Sequence, residues 1–157
     1  ASYYLLAYML TNIAAFGVIH IVGKSLGTDE ISDYAGLHHR SPGLTLVMLI
    51  ALLSLGGIPP FAGFIGKILV FAAAMQAELV WLVILGVLNS IVALYYYLVI
   101  LKTMYSLPSS SEEEIIMNPA WKVALTLCIV GIILLGTLLF SYGFGWTNLA
   151  SLAFLSY

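Results

Sequence analysis

The stretch of sequence that decides the fold covers residues 54–67 and reads SLGGIPPFAGFIGK. Gly56 and Gly57 weaken a helix at this point, and Pro59 and Pro60 remove two consecutive backbone donors. Apolar residues continue on both sides, and nothing between them is polar enough for a loop in water. The stretch therefore predicts a helix break that stays inside a membrane.

We expect one membrane span over residues 44–75, broken at residues 56–60. Its two half-helices are about Leu44–Ile58 and Pro60–Met75, and each is shorter than the roughly 20 residues that cross a bilayer core. Pro60 is expected near the start of the second half, where a missing N–H costs least. The alternative is a tight hairpin between two short re-entrant helices.

The composition indicates an all-α membrane protein. Apolar residues make up 62% of the 157 positions and charged residues 8%, whereas soluble domains have about 45–50% and about 25%. This number of charged residues is too small to cover a protein surface that faces water. The expected solvent is therefore the lipid bilayer. No basic block suggests a nucleic acid as partner. The single cysteine, Cys128, excludes a disulfide within the chain.

Three further apolar segments, about 3–23, 80–105 and 123–140, are long enough to span. We therefore predict four transmembrane helices, of which the second is discontinuous. The chain opens at Ala1 and is apolar almost at once, without the basic region of a signal peptide. We expect it to be the C-terminal part of a longer protein.

The basic residues predict how the chain is oriented. If the broken segment counts as one span, the loops 24–42 and 106–119 share a side that carries four basic residues, and the opposite side carries none. Basic loops stay in the cytoplasm, so these two are predicted to be cytoplasmic, with the turn 76–79 and the C-terminus outside. Two separate full spans would divide the basic residues between the sides. The four residues are Lys24, Arg40, Lys102 and Lys122.

Lys67 is the first candidate for chemistry. It lies about nine residues, or roughly 14 Å of helix, from the outer turn, and so near mid-membrane. A charged lysine there costs roughly 2.5–3.5 kcal/mol, so it needs water, a partner or deprotonation. Burial disfavours the charged form, which would let Lys67 bind and release protons. The alternative is a structural lysine paired permanently with a carboxylate on another helix.

The helix break is expected to leave carbonyl groups unpaired at residues 54–57 and donors free just after Pro60. Irregular backbone at membrane depth is tolerated only where it is buried or lines a wet cavity. Transporters use such half-helix ends around ion sites. A simple proline kink is the alternative.

His20, toward the cytoplasmic end of the first span, is a possible member of a proton path, because a neutral imidazole can pass protons on. Alternatively, it bonds to a neighbouring helix or lies close to the interface. Thr11 and Asn12 of the same span could line the same path, although packing hydrogen bonds are the commoner role. His38 and His39 are adjacent and point in different directions, so we predict a surface and no metal site.

The run from Ser54 to Lys67 resembles the antiporter-like subunits of respiratory complex I, the NADH:quinone oxidoreductase. The upstream DYAGL at 33–37 and the downstream YYYL at 95–98 also fit. Within that family, the M-type subunits typically carry glutamate at the position of Lys67, and the L-type subunits carry Ser-Lys-Asp where this chain has Gly-Lys-Ile. The resemblance is therefore to the N-type, called subunit 2 in mitochondria, and it weakens beyond about residue 106.

The resemblance implies a longer helix bundle of which this chain holds the last four helices, in the inner (cytoplasmic) membrane. It implies proton translocation coupled to electron transfer from NADH to quinone, with Lys67 as a relay on the exit side and other relay residues elsewhere. FMN, iron–sulfur clusters and quinone would belong to other subunits, so no cofactor is expected in this chain. The expected partners are other membrane subunits of the complex and the lipid bilayer.

Two other functions stay open at this point. One is a subunit of a multisubunit cation/proton antiporter, which shares the broken-helix architecture. The other is a structural membrane subunit in which Lys67 is a fixed ion-pair anchor.

Overall fold

The computed structural model describes residues 2–27, 30–109 and 112–142, and this part of the chain is helical with no strand. The helices, in chain order, are α1 (Ser2–Leu26), a short 3-10 helix (Ile31–Tyr34), α2 (Leu37–Arg40), α3 (Pro42–Gly56), α4 (Ala62–Gln76), α5 (Val80–Ser106) and α6 (Pro119–Tyr142). The prediction of an all-α membrane protein is confirmed. The short helices at 31–40 were not predicted.

Helices α1, α5 and α6 are long and apolar enough to cross a membrane, whereas α3 and α4 are shorter apolar helices of 15 residues each. Proline marks the first residue of α3 and of α6. There its missing N–H has no helical partner to lose. Both helices therefore begin a few residues before the predicted apolar segments. The first turn after the proline is not marked by apolar residues, so hydrophobicity alone does not reveal it.

Helix α1 is the centre of the packing and contacts α3, α4 and α6. Small residues allow the close contact with α6: Gly17 faces Leu125 and Trp121, and Gly131 faces Leu10. Helix α5 differs, because most of its apolar side chains are exposed. Tyr95, for example, has 65% of its surface accessible.

Residues 30–41 pack against the C-terminal end of α5 and the segment that follows it. The Gly36 N–H donates to the Thr103 carbonyl at 3.4 Å, and the buried Arg40 donates through Nε to the Glu113 carbonyl at 2.9 Å. His38 Nδ1 lies 3.2 Å from the Met104 carbonyl oxygen. The two loop segments therefore meet at one end of the bundle.

Candidate functional site

Helix α3 ends in a capped turn at Gly57. Gly57 has φ 78°, a left-handed conformation that favours glycine. Its N–H donates to the Ser54 carbonyl, and the Ile58 N–H donates to the Leu53 carbonyl, both at 3.0 Å. This is the Schellman pattern of helix ends. The expectation of unpaired carbonyls across residues 54–57 was therefore wrong for Ser54, because the turn folds back and pairs it.

The two prolines lie in the link between the half-helices. Phe61 is extended, with φ −78° and ψ 157°, so α4 begins only at Ala62. Pro60 was expected near the start of the second half-helix and instead precedes it; the peptide bond between Pro59 and Pro60 is cis. The first donor after Pro60 is not free, because the Phe61 N–H donates to the Ile58 carbonyl at 3.2 Å.

Ser54 joins the end of α3 to the start of α4. Its side-chain oxygen accepts a hydrogen bond from the Gly63 N–H at 3.1 Å. The first N–H groups of a helix have no partner within it, and Phe61, at the N-cap of α4, makes no side-chain cap. Ser54 therefore caps α4 from the other half-helix.

Thr11 of α1 completes this contact. Its Oγ1 lies 3.3 Å from Ser54 Oγ and donates to the Ala7 carbonyl at 2.7 Å. Thr11 and Ser54 are almost completely buried, at 1% and 0% exposed. A pair of hydroxyl groups thus links α1 to both half-helices.

Backbone approaches backbone at two glycines beside the break. A side-chain carbon at Gly63 would overlap the Ser54 carbonyl oxygen, and one at Gly136 of α6 would overlap the Pro60 carbonyl oxygen. Only glycine fits where chains come this close. At the break, α3 and α4 therefore meet directly at Gly63, and α6 packs against the link at Gly136.

Lys67 lies one turn beyond Gly63 on the same face of α4. Its Nζ donates to the Gly56 carbonyl at 3.3 Å, and its stem lies over Gly57. The C-terminal end of a helix carries partial negative charge, so the end of α3 stabilises a cation here. The lysine is half-buried.

No carboxylate pairs with Lys67 within the described ranges 2–27, 30–109 and 112–142. The seven acidic residues of the sequence all fall outside the five long helices. A carbonyl oxygen therefore takes the place of a counter-ion, and it holds the ammonium group without neutralising it.

A cavity of about 370 Å³ opens beside Lys67, between α1, α3, α4 and α5. Asn89 on α5 lies in its wall and makes no hydrogen bond to another residue that the structure describes. An amide left unpaired in a membrane span is costly, so it is expected to bind water or a further partner. The other polar lining residues are Tyr4, Tyr8, Thr11, Asn12, Ser54, Ser90 and Tyr97.

The structure brings some of the predicted site residues together and leaves one apart. Thr11 and Asn12 line the cavity with Lys67, and Asn12 donates to the Tyr8 carbonyl at 2.7 Å. His20 does not line it. Its exposed ring lies 5.7 Å from the ring of Trp121 on α6.

Sequence reasoning missed the roles of Ser54 and Asn89. The signal for Asn89 was available, because an asparagine followed by a serine interrupts an otherwise apolar span. The signal for Ser54 was weaker. A lone serine before a glycine pair gives no indication that its partner is a backbone N–H in the next helix.

Residues 1–93 match the family described as NADH:quinone oxidoreductase/Mrp antiporter, transmembrane. The chain is 54% identical over 116 residues to NAD(P)H-quinone oxidoreductase subunit 2 of Rippkaea orientalis, covering 74% of this chain and 22% of that protein. It is 45% identical over 136 residues to NADH-quinone oxidoreductase subunit N 1 of Roseiflexus castenholzii, covering 87% and 25%. The chain thus spans about a quarter of these relatives.

The fold is similar to a chain of respiratory complex I from Thermus thermophilus, solved with bound aureothin. The TM-score is 0.74 at 32% sequence identity, and the match covers 90% of this chain and 33% of that chain.

Proposed function

Because the chain belongs to the transmembrane family of NADH:quinone oxidoreductases and Mrp antiporters, we propose that it is part of a proton-translocating membrane subunit in which Lys67 binds and releases the proton. The observation that carries this proposal is the contact of Lys67 Nζ with the Gly56 carbonyl beside a polar cavity. A carbonyl stabilises the ammonium group but does not fix its charge, as a carboxylate would.

The arrangement suits an electrostatic switch. At an effective dielectric constant of 20, a unit charge that moves to within about 10 Å changes the energy of the ammonium group by roughly 1.7 kcal/mol. That energy changes proton affinity more than tenfold. A charge change on a neighbouring group outside this chain can therefore load or unload Lys67.

The relatives support an NADH:quinone oxidoreductase as the parent complex, because their names are those of its subunits 2 and N. In that complex the chain would pair with other membrane subunits in the bacterial inner membrane. FMN, iron–sulfur clusters and quinone would be held by other subunits, and this chain would supply no cofactor.

The loop contacts support a single crossing by α3 and α4 together. The segments 30–41 and 103–113 touch, and the chain between them passes through α3, α4 and α5. With α5 counted as one crossing, a single crossing by α3 and α4 together brings the two loops to the same side, where they can meet. A re-entrant hairpin or two full spans would put the loops on opposite sides.

The same argument supports four spans, with the two loops in the cytoplasm and the turn 76–79 outside. Lys24, Arg40, Lys102 and Lys122 then all face the cytoplasm, as the charge rule requires. The cavity residues Tyr4 to Asn12 lie toward the outer end of α1. Proton release outward from Lys67 is therefore part of the proposal.

A subunit of a multisubunit cation/proton antiporter is the second candidate, because the matched family includes Mrp antiporters. The two functions differ in their energy source. Proton movement that starts with NADH and stops with a quinone-site inhibitor favours the oxidoreductase. Proton movement driven by a sodium gradient without NADH favours the antiporter.

Replacing Lys67 with methionine in the complete subunit, within its assembled complex in membrane vesicles, tests the proposal. Methionine fills a similar volume without a proton to exchange, so NADH-driven proton uptake should fall about tenfold or more. The control is Lys102→Met, a lysine on the exposed surface of α5 outside the cavity. Wild-type uptake by an assembled Lys67→Met complex would exclude the relay.

A further inference from the structure

We propose that Ser54 and Thr11 are positioning residues for Lys67. The hydrogen bond between their hydroxyl groups orients the Ser54 oxygen so that it caps α4. The capped α4 in turn holds the Lys67 ammonium group at the Gly56 carbonyl. This inference rests on the proposed function, since it assigns two residues to the support of the proton-binding group. Neither hydroxyl touches the proton itself.

The direction of the hydrogen bonds follows from the contacts of Thr11. Its single hydroxyl hydrogen is used on the Ala7 carbonyl, at 2.7 Å. In the contact of 3.3 Å between the two hydroxyl groups, Ser54 must therefore be the donor. With its hydrogen turned toward α1, Ser54 presents its lone pairs to the Gly63 N–H.

The link to Lys67 is geometric. Gly63 and Lys67 are four residues apart, so they lie on one face of α4. From that face, Gly63 bonds to Ser54 and Lys67 bonds to Gly56, both at the end of α3. These two hydrogen bonds on one face fix the rotation of α4 and its position along its axis relative to α3. Loss of the bond between Gly63 and Ser54 therefore releases the bond between Lys67 and Gly56.

Burial makes the hydroxyl pair difficult to replace. Ser54 is fully buried and Thr11 has 1% of its surface accessible at the wall of the cavity, so the two hydroxyl groups are partnered by protein rather than by bulk water. If Thr11 cannot accept, the Ser54 hydrogen turns to another acceptor, such as a carbonyl of its own helix. The lone pairs then no longer point at Gly63.

Two substitutions of Thr11 separate positioning from packing. Thr11→Val keeps the shape of the side chain and removes the oxygen, whereas Thr11→Ser keeps the oxygen and removes a methyl group. NADH-driven proton uptake, normalised to assembled complex, should fall about threefold to tenfold in Thr11→Val and stay within about twofold of wild type in Thr11→Ser. A purely structural role of this buried site predicts the opposite order.

Ser54→Ala provides the second measurement and keeps the proposal testable if Thr11→Val does not assemble. It should lose at least as much uptake as Thr11→Val, and the double variant should be no worse than Ser54→Ala alone, because Thr11 acts through Ser54. Wild-type uptake in Thr11→Val or in Ser54→Ala, a loss in Thr11→Ser equal to that in Thr11→Val, or additive losses would each overturn the inference.

Lys67→Met, measured in the same vesicles, distinguishes the two proposals. If it pumps like wild type, the proposed function fails. If it loses uptake while Thr11→Val and Ser54→Ala do not, the proposed function stands and only the positioning role is lost.

Discussion

The ammonium nitrogen of Lys67 lies 3.3 Å from the carbonyl oxygen of Gly56, at the point where the first half-helix ends. The contact joins a cation on α4 to the negative end of α3. The helix break and the lysine therefore stabilise each other. The break supplies an acceptor that an intact helix would have used internally. The lysine in turn satisfies a carbonyl that would otherwise be unpaired within the membrane.

Gly63→Ala is predicted to damage the crossing of the half-helices. The added carbon would overlap the Ser54 carbonyl oxygen, which belongs to backbone and cannot move aside. We expect a destabilisation of about 2 kcal/mol or more, measured as a lower midpoint of thermal unfolding in detergent.

Gly43→Ala is the matched control for that substitution. It lies in α3, and a carbon there would meet only the flexible end of Met117, at 3.7 Å. Alanine in place of a helical glycine should be neutral or stabilise by up to about 1 kcal/mol. Equal effects of the two substitutions would mean that the close approach at Gly63 is not tight.

The proposed topology predicts which sites a membrane-impermeant thiol reagent reaches. In a Cys128→Ala background, Ser32→Cys, before α3, should be labelled only from the cytoplasmic side and Ala77→Cys, after α4, only from outside. Both positions are exposed in the structure. Labelling of both from the same side would contradict a single crossing by α3 and α4.

His20→Phe is predicted to retain proton uptake. The ring of His20 lies against that of Trp121 and outside the cavity, and phenylalanine keeps a ring contact while it removes the exchangeable proton. Uptake by vesicles carrying this variant is the measurement. A loss of uptake comparable with that of Lys67→Met would indicate that His20 is part of the proton path.

The membrane class and the interruption at Gly56 to Pro60 could be predicted from the sequence, because both rest on local chemistry. Low charge excludes a soluble surface, and paired glycines and prolines interrupt a helix wherever they occur. The position of Lys67 beside the break could also be predicted, since the two are close in the chain.

The contacts across helices could not be predicted in the same way. The cap of α4 by Ser54 depends on how the two half-helices cross. The hydrogen bond between Thr11 and Ser54 depends on how α1 packs against them. The expected unpaired carbonyl of Ser54 failed for a similar reason, because the turn at Gly57 uses it. The same limit applies to His20. The sequence around a histidine in a membrane span is the same whether its ring faces a cavity or a tryptophan.

Whether Lys67 itself exchanges the proton is tested by NADH-driven proton uptake of the complete complex carrying Lys67→Arg. Arginine keeps the positive charge and the capacity to donate to a carbonyl, but it does not release its proton. If Lys67 is a relay, uptake should fall about tenfold or more while the complex assembles normally. Uptake at the wild-type rate would show that a permanent charge suffices, and would contradict the relay.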